Sequence, residues 1–247
     1  MDPFKNPKGF TLIEIIFAIF IGLMLLSAIY VSMISGQKSS VAIDRKVAAQ
    51  QDVRSALEIM AVEIGMASYN PTFASGIWRD GPATLNCGTP AANQAIKGIQ
   101  EATANSITVE MDVGGAGAIE NGGNGAIEND EILRYAWDQA NQRITRGTNC
   151  GADESFIGDT AGNQRSVRVI NDILGITNPH GFPAIFRYFN GRGIELFPDE
   201  NPNDIPNIRR IDFTLGVETD EVDPNTQQRR RMIYSSSVIV RNHSINL

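Results

Sequence analysis

From Ile15 to Gln37 the chain runs for 23 residues without a charged side chain, most of them Ile, Leu, Phe, Met or Val. As an α-helix this segment spans about 34 Å at ~1.5 Å per residue, enough to cross a hydrocarbon layer of about 30 Å. The first expectation is therefore a helix that passes through a membrane. A cleaved secretory signal fits poorly, because the apolar stretch exceeds an h-region of about 7–15 residues and no small-residue cleavage site follows between Ser27 and Ser35. A plain anchor leaves Glu14 unexplained. That carboxylate follows Phe10, Thr11, Leu12 and Ile13 inside the apolar segment, where an ionised acid costs about 2.5–3.5 kcal/mol at mid-bilayer and less near an edge. An acid so placed marks a functional position.

Composition limits the remainder. A 42% apolar chain of 247 residues with net charge −7 is too hydrophobic and too dilutely charged for a disordered acidic polypeptide. A pI near 4.9 withholds the basic field that nucleic-acid binding needs, so no nucleic-acid partner is expected. Lys5 and Lys8 precede the apolar run while Lys38, Arg45 and Lys46 follow it, so charge alone does not orient the helix.

Lys8-Gly9-Phe10-Thr11-Leu12-Ile13-Glu14, placed near the N-terminus and followed by the apolar run, resembles the junction of type IV prepilins and type II secretion pseudopilins. The resemblance implies cleavage after Gly9 by a membrane-embedded prepilin peptidase and methylation of the new amino terminus at Phe10. It gives a leader at 1–9, a transmembrane and filament-core helix at 10–37, an amphipathic continuation at 38–70 and an extracytoplasmic β-rich head at 71–247. It also implies that Glu14 pairs with the Phe10 amine of a neighbouring subunit. Such pairing removes most of the several kcal/mol that an unpaired charge costs in a low-dielectric setting.

The residues support this division. No proline occurs between Pro7 and Pro71, and Val53, Leu57, Met60, Ile64 and Ala67 recur at spacings of 4, 3, 4 and 3. That stripe predicts one helix from about Phe10 to Ala67 whose outer half docks a head, with Arg54, Glu58 and Glu63 on the surface. Tyr69-Asn70-Pro71 ends it. Beyond, Ser106–Asp112, Glu131–Trp137, a short strand ending near Arg146, Ala184–Phe189, and a terminal hairpin of Ile211–Val217 with Met232–Val240 read as strands. The order of elements, with Met66–Pro71, the Gly-rich loop after Asp112 and Val240-Arg241-Asn242, is similar to that of PilW-type minor pilins, related to the minor pseudopilin GspJ. The implied fold is α+β and pilin-like, a long N-terminal helix packed on a mainly antiparallel head.

Several constellations invite chemistry. Cys87 and Cys150, an even pair in a head outside the cytoplasm, suggest a disulfide, with two free thiols as the alternative. Gly115–Gly122 is followed at once by a tandem copy, Gly123–Asp130; it lacks the Lys-Ser/Thr of a phosphate loop and reads as a flexible hairpin loop, with an oxygen-rich cation site as the alternative. Asp199, Glu200, Asn203 and Asp204 offer oxygen ligands without EF-hand spacing, so a solvated loop is favoured over calcium and no cofactor is expected. Arg229-Arg230-Arg231 with Arg209-Arg210 forms a basic patch, read as strand-edge protection ahead of a subunit contact. His180 and His243 belong to no metal or nucleophile motif, and no enzyme is expected.

The expected function is that of a minor pilin that initiates or caps a type IV pilus. The alternatives are a minor pseudopilin of type II secretion and a filament-tip adhesin. Expected partners are other minor and major pilins or pseudopilins, the prepilin peptidase and an inner-membrane assembly platform. The expected location is the inner membrane, single-pass with the head outside the cytoplasm, and then the filament.

Overall fold

In the computed structural model, residues 9–80, 89–91, 93–114, 123–148, 151–158 and 166–244 are described. One helix, α1 (Leu12–Gly65), accounts for 54 of them. It is uninterrupted because nothing in it breaks the hydrogen-bond ladder, and it ends two residues earlier than the stripe predicts, with Ala67 in the following turn. Its large apolar side chains from Leu12 to Met33 are exposed, whereas Ala49, Val53, Ala56, Leu57, Met60 and Ile64 are buried against the head. The change from an all-round apolar surface to a one-sided stripe thus divides the helix into a part without head contacts and a docked part.

Among the described residues the head contains two five-stranded antiparallel sheets and a small ribbon of β1 (Arg79–Asp80) with β2 (Thr89–Pro90). The first sheet is a meander in chain order: β3 (Ile99–Ala102), β4 (Ser106–Glu110), β5 (Ile132–Asp138), β6 (Arg143–Thr148) and β7 (Glu154–Ile157). The second is organised by β11 (Arg210–Thr219), which pairs with β12 (Arg231–Ile239) along its length. On its other side β11 pairs with β9 (Phe186–Phe189) over residues 210–213 and with β8 (Val167–Val169) over 217–219. β10 (Glu195–Leu196) completes the order beyond β9. Buried Asn171 bridges the gap left between β8 and β9. Its amide donates to Ala184 O and Thr214 O and accepts from Gly216 N, each at 2.7 Å.

The architecture is the α+β, pilin-like arrangement expected: a long apolar N-terminal helix on antiparallel sheets. The helix runs alongside β12. Arg45 reaches the far end of the β11–β12 hairpin, donating to Val222 O at 3.2 Å and pairing with Glu221, while Gly65 lies so close to Val238 that a Cβ would stand 3.1 Å from its methyl group.

The helix also meets the first sheet. Glu63, expected on the surface, is instead held by the Arg146 guanidinium through bonds of 3.1 and 2.6 Å, and the Tyr135 hydroxyl donates to the same carboxylate. Tyr135 is fully buried, packs edge-to-face on Phe156 at 5.2 Å, and has its phenol pushed far above the ordinary range by desolvation and by Glu63. Glu63→Ala would leave two donors, the buried Tyr135 hydroxyl and the half-buried Arg146 guanidinium, without this acceptor. An expected loss of about 1–3 kcal/mol in head stability follows, measurable by denaturant unfolding of the full chain.

His243, fully buried, closes the core. Its Nε2 lies 2.8 Å from Ile205 O, and its Nδ1 lies 2.8 Å from Ser68 Oγ and 3.0 Å from Lys97 O. Burial lowers its pKa from the usual 6.5, against the opposing pull of the two carbonyls and aided by nearby Arg209 and Lys97. Below the unfolded value the unfolded chain binds a proton that the folded ring resists, so stability is full above that value and is lost as pH falls toward the lowered folded one. His243→Gln should flatten the pH dependence of head melting below about pH 6.5.

Candidate functional site

The helix start is built by its own sequence. Thr11 has extended backbone (φ −77°, ψ 152°) and acts as N-cap, its Oγ1 accepting from Glu14 N at 3.4 Å. Glu14 reaches back: its Oε2 accepts from Thr11 N and from Thr11 Oγ1, both at 2.8 Å. This is a capping box, in which two amides that a helix start leaves without partners are satisfied reciprocally. The carboxylate also stands where the positive end of the helix dipole favours it. Gly9 and Phe10 precede the box in exposed, irregular backbone, Phe10 being 84% exposed. The predicted scissile junction and the predicted assembly acid therefore lie within one turn of each other. Thr11 was not among the expected site residues, although Thr11-Leu12-Ile13-Glu14 carries the Thr-x-x-Glu signal for its role.

Further along the exposed part of α1, Ser27, Ala28, Ser32, Ser35, Gly36 and Ser39 line one shallow groove. Small residues at spacings of three and four lower the helix surface and admit close approach by another helix. Ser27 Oγ is satisfied internally, donating to Leu23 O at 2.8 Å.

The other candidates are placed differently. Cys87 and Cys150 lie outside the described residues, as does the first copy of the tandem segment. The second copy is tied down by two buried acids. Asp112 accepts from Asn124 N at 2.8 Å and Gly125 N at 2.9 Å; Glu131 accepts from Val113 N, Gly114 N and Glu128 N at 2.7–2.8 Å. Of the oxygen ligands considered for calcium, Asp199 and Glu200 lie in a turn, and Asn203 and Asp204 in the short 3₁₀ helix Pro202–Asn207. Glu200 contacts His180 Nδ1 at 2.5 Å, and that ring stacks on Phe197 with centroids 4.2 Å apart. Among the described residues no three His, Cys, Asp or Glu side chains converge on a metal position.

The arginines form no open basic face. Arg230 pairs with Asp223 at 2.6 Å, Arg231 with Glu218 at 3.3 Å, Arg210 with Asp212 at 3.0 Å and Arg229 with Asp220 at 3.5 Å, while Arg209 donates to two backbone carbonyls. They fasten the ends of the terminal hairpin to its own carboxylates.

Residues 4–30 match the family model of the prokaryotic N-terminal methylation motif. No curated protein and no solved structure matches the chain. The motif supports a type IV pilin or pseudopilin in general, a group that is structural rather than enzymatic and that assembles with other pilins after processing by a prepilin peptidase. The apolar helix is in keeping with membrane anchoring.

Thr11→Ala removes one arm of the capping box. Helix-start stability should fall by about 1 kcal/mol, seen as faster hydrogen exchange of the amides of residues 12–15 in the full chain held in micelles.

Proposed function

We propose that the chain is a minor pilin that helps to initiate or cap a type IV pilus. Cleavage after Gly9 leaves 238 of the 247 residues, and the freed Phe10 amine becomes the N-methylated end of α1. The single observation that carries this reading is Glu14, an acid held by Thr11 in the first turn of a helix whose next 23 residues bear no charge. Before cleavage the capping box gives the carboxylate internal partners, which reduces the cost of placing it at a membrane edge. After cleavage a cation stands one residue before Thr11, and the same carboxylate can neutralise the amine of an adjacent subunit as helices gather in the filament core.

In this reading residues 10–37 hold the subunit in the inner membrane and then in the filament. The docked half of α1 carries the head outside the cytoplasm, and Cys87 and Cys150 close a disulfide there. Its partners are other minor and major pilins and the inner-membrane assembly platform. A minor pseudopilin of a type II secretion system is the second reading, since both classes share the Gly9–Phe10 junction and Glu14; neighbouring genes for retraction or for secretion separate them. Similarity of element order to PilW-type and GspJ-type subunits supports a minor over a major subunit.

Glu14→Ala is the direct test. In the native cell the variant should be cut after Gly9 as wild type, yet be absent from sheared filaments. Normal incorporation would overturn the assigned role of the acid, and an uncut chain would overturn the processing site.

A further inference from the structure

We propose that the outer edge of β12 is a docking site for an extended segment of a different polypeptide, which adds to the second sheet as one more strand. The choice of partner rests on the reading of α1 as a membrane anchor; the acceptor edge itself does not.

β12 ends the strand order of its sheet, so among the described residues one of its two edges has no neighbouring strand. Which backbone groups lie open there follows from the register with β11. Thr219 N donates to Arg230 O at 2.9 Å and Val240 N to Arg209 O at 3.1 Å, at the two ends of an unbroken run of nine paired residues. In an antiparallel ladder, hydrogen-bonded pairs alternate with pairs whose N–H and C=O point the other way. The even-numbered residues of β12 therefore bond to β11, while Arg231, Ile233, Ser235, Ser237 and Ile239 turn their N–H and C=O groups outward. Among the described residues none of these outward groups has a backbone partner.

The usual devices that blunt such an edge are missing from it. No bulge turns it aside, and Met232–Ile239 contains neither proline nor a charged residue. The arginines read from the sequence as edge protection stop at Arg231, whose guanidinium pairs with Glu218. On the inner face Met232, Tyr234 and Val238 pack against the core, which fixes the plane of the strand. On the outer face Ser235 Oγ lies 3.0 Å from Thr214 Oγ1 and Ser237 Oγ donates to Asp212 at 2.7 Å, so both hydroxyls bond across the ladder to β11. What remains for a partner is the backbone, flanked by Ile233 (58% exposed) and Ile239 (61%). Donors and acceptors alternating at strand spacing are matched by another extended backbone; the main-chain bonds give affinity and the flanking side chains selectivity. The chemistry that fits is an uncharged segment with β-branched or other apolar residues beside the two isoleucines.

The direction of α1 argues against a second copy of this chain as the occupant. α1 runs parallel to β12, from Arg45 at the hairpin tip to Gly65 beside Val238. Two β12 edges joined antiparallel would point their apolar helix halves in opposite directions, and both could not enter one membrane. Joined parallel in exact register, the two strands would turn the same residues toward each other, whereas a parallel ladder sets each bonding residue against one that is turned away. A slip of one residue repairs the ladder, but a closed twofold does not supply it. The occupant is therefore a segment of another polypeptide.

The test uses the full chain in lipid nanodiscs and, as probe, a labelled peptide of the sequence Arg231–Ile239 with blocked ends. Free of the helix, this peptide can lie antiparallel on the edge with Ser235 opposite Ser235, which sets outward-turned residues against outward-turned residues. Fluorescence anisotropy should show saturable binding with a Kd below about 1 mM, and hydrogen exchange of the chain's amides should slow at residues 233, 235 and 237. A peptide N-methylated at 233, 235 and 237 should bind about tenfold or more weakly, whereas N-methylation at 232, 234 and 236 should leave the affinity near that of the unmodified peptide. In the chain, Ser235→Pro removes an N–H that bonds to no backbone and should reduce peptide binding by about tenfold or more. No saturable binding, equal loss with both N-methylated peptides, or exchange unchanged at the three outward amides would each overturn the proposal. A dimer of the full chain in micelles that Ser235→Pro abolishes would overturn the assignment to a different polypeptide. If Ser235→Pro fails to fold, the two N-methylated peptides on the wild-type chain still decide.

Discussion

The carboxylate of Glu63 joins parts of the molecule that lie far apart in sequence. It belongs to the helix, yet its acceptors' partners, Arg146 and Tyr135, come from the middle of the first sheet. On the adjoining face Val53, Leu57, Met60 and Ile64 are buried in the same apolar core as Ile211, Phe213 and Leu215 of the second sheet. Apolar contact is non-directional and would tolerate the helix sliding or turning over the sheets; a two-pronged guanidinium on a carboxylate would not. The stripe therefore supplies the docking free energy and Glu63 the register. Tyr188 performs a related service between the sheets, its buried hydroxyl donating to Thr103 O and Ser106 O at the β3–β4 turn.

Much of this was legible in the sequence where one period dominates. The stripe through Val53, Leu57, Met60 and Ile64 names the docked face, and Ile211, Phe213, Leu215 and Val217 alternate so regularly that the terminal hairpin follows from spacing alone. β1, β2, β3, β7, β8 and β10 escaped because runs of two to four residues are too short to show a period. Glu63 was misplaced for a different reason. On a helical wheel it looks like a solvated acid, and only the fold reveals the arginine opposite. At the helix start the acid was recognised for its unusual setting, while the Thr11 side chain that holds it passed as filler.

Charge in the head is mostly consumed internally. Asp112 and Glu131 accept backbone amides around the second copy of the Gly-rich segment, and the hairpin arginines are matched to Glu218, Asp220 and Asp223. Buried acids paired to amides order a glycine-rich stretch that has little apolar surface of its own. A net charge of −7 therefore describes the bookkeeping of loops more than any field offered to a partner.

The alignment of α1 with β12, from Arg45 beside the hairpin tip to Gly65 beside Val238, has a mechanical meaning. A pull on the N-terminal end of the helix loads the stripe, the Arg45 strap, the contact of Asp52 with Ser166 and the Glu63 clamp side by side, not one after another. Loaded in shear, these contacts share the force and must fail together, so the barrier to tearing the helix from the head is set by their sum. Forced rupture is governed by that barrier and not by equilibrium stability. The molecule is thus a handle and a load joined by a lap joint, able to be drawn lengthwise by its helix while the head stays folded.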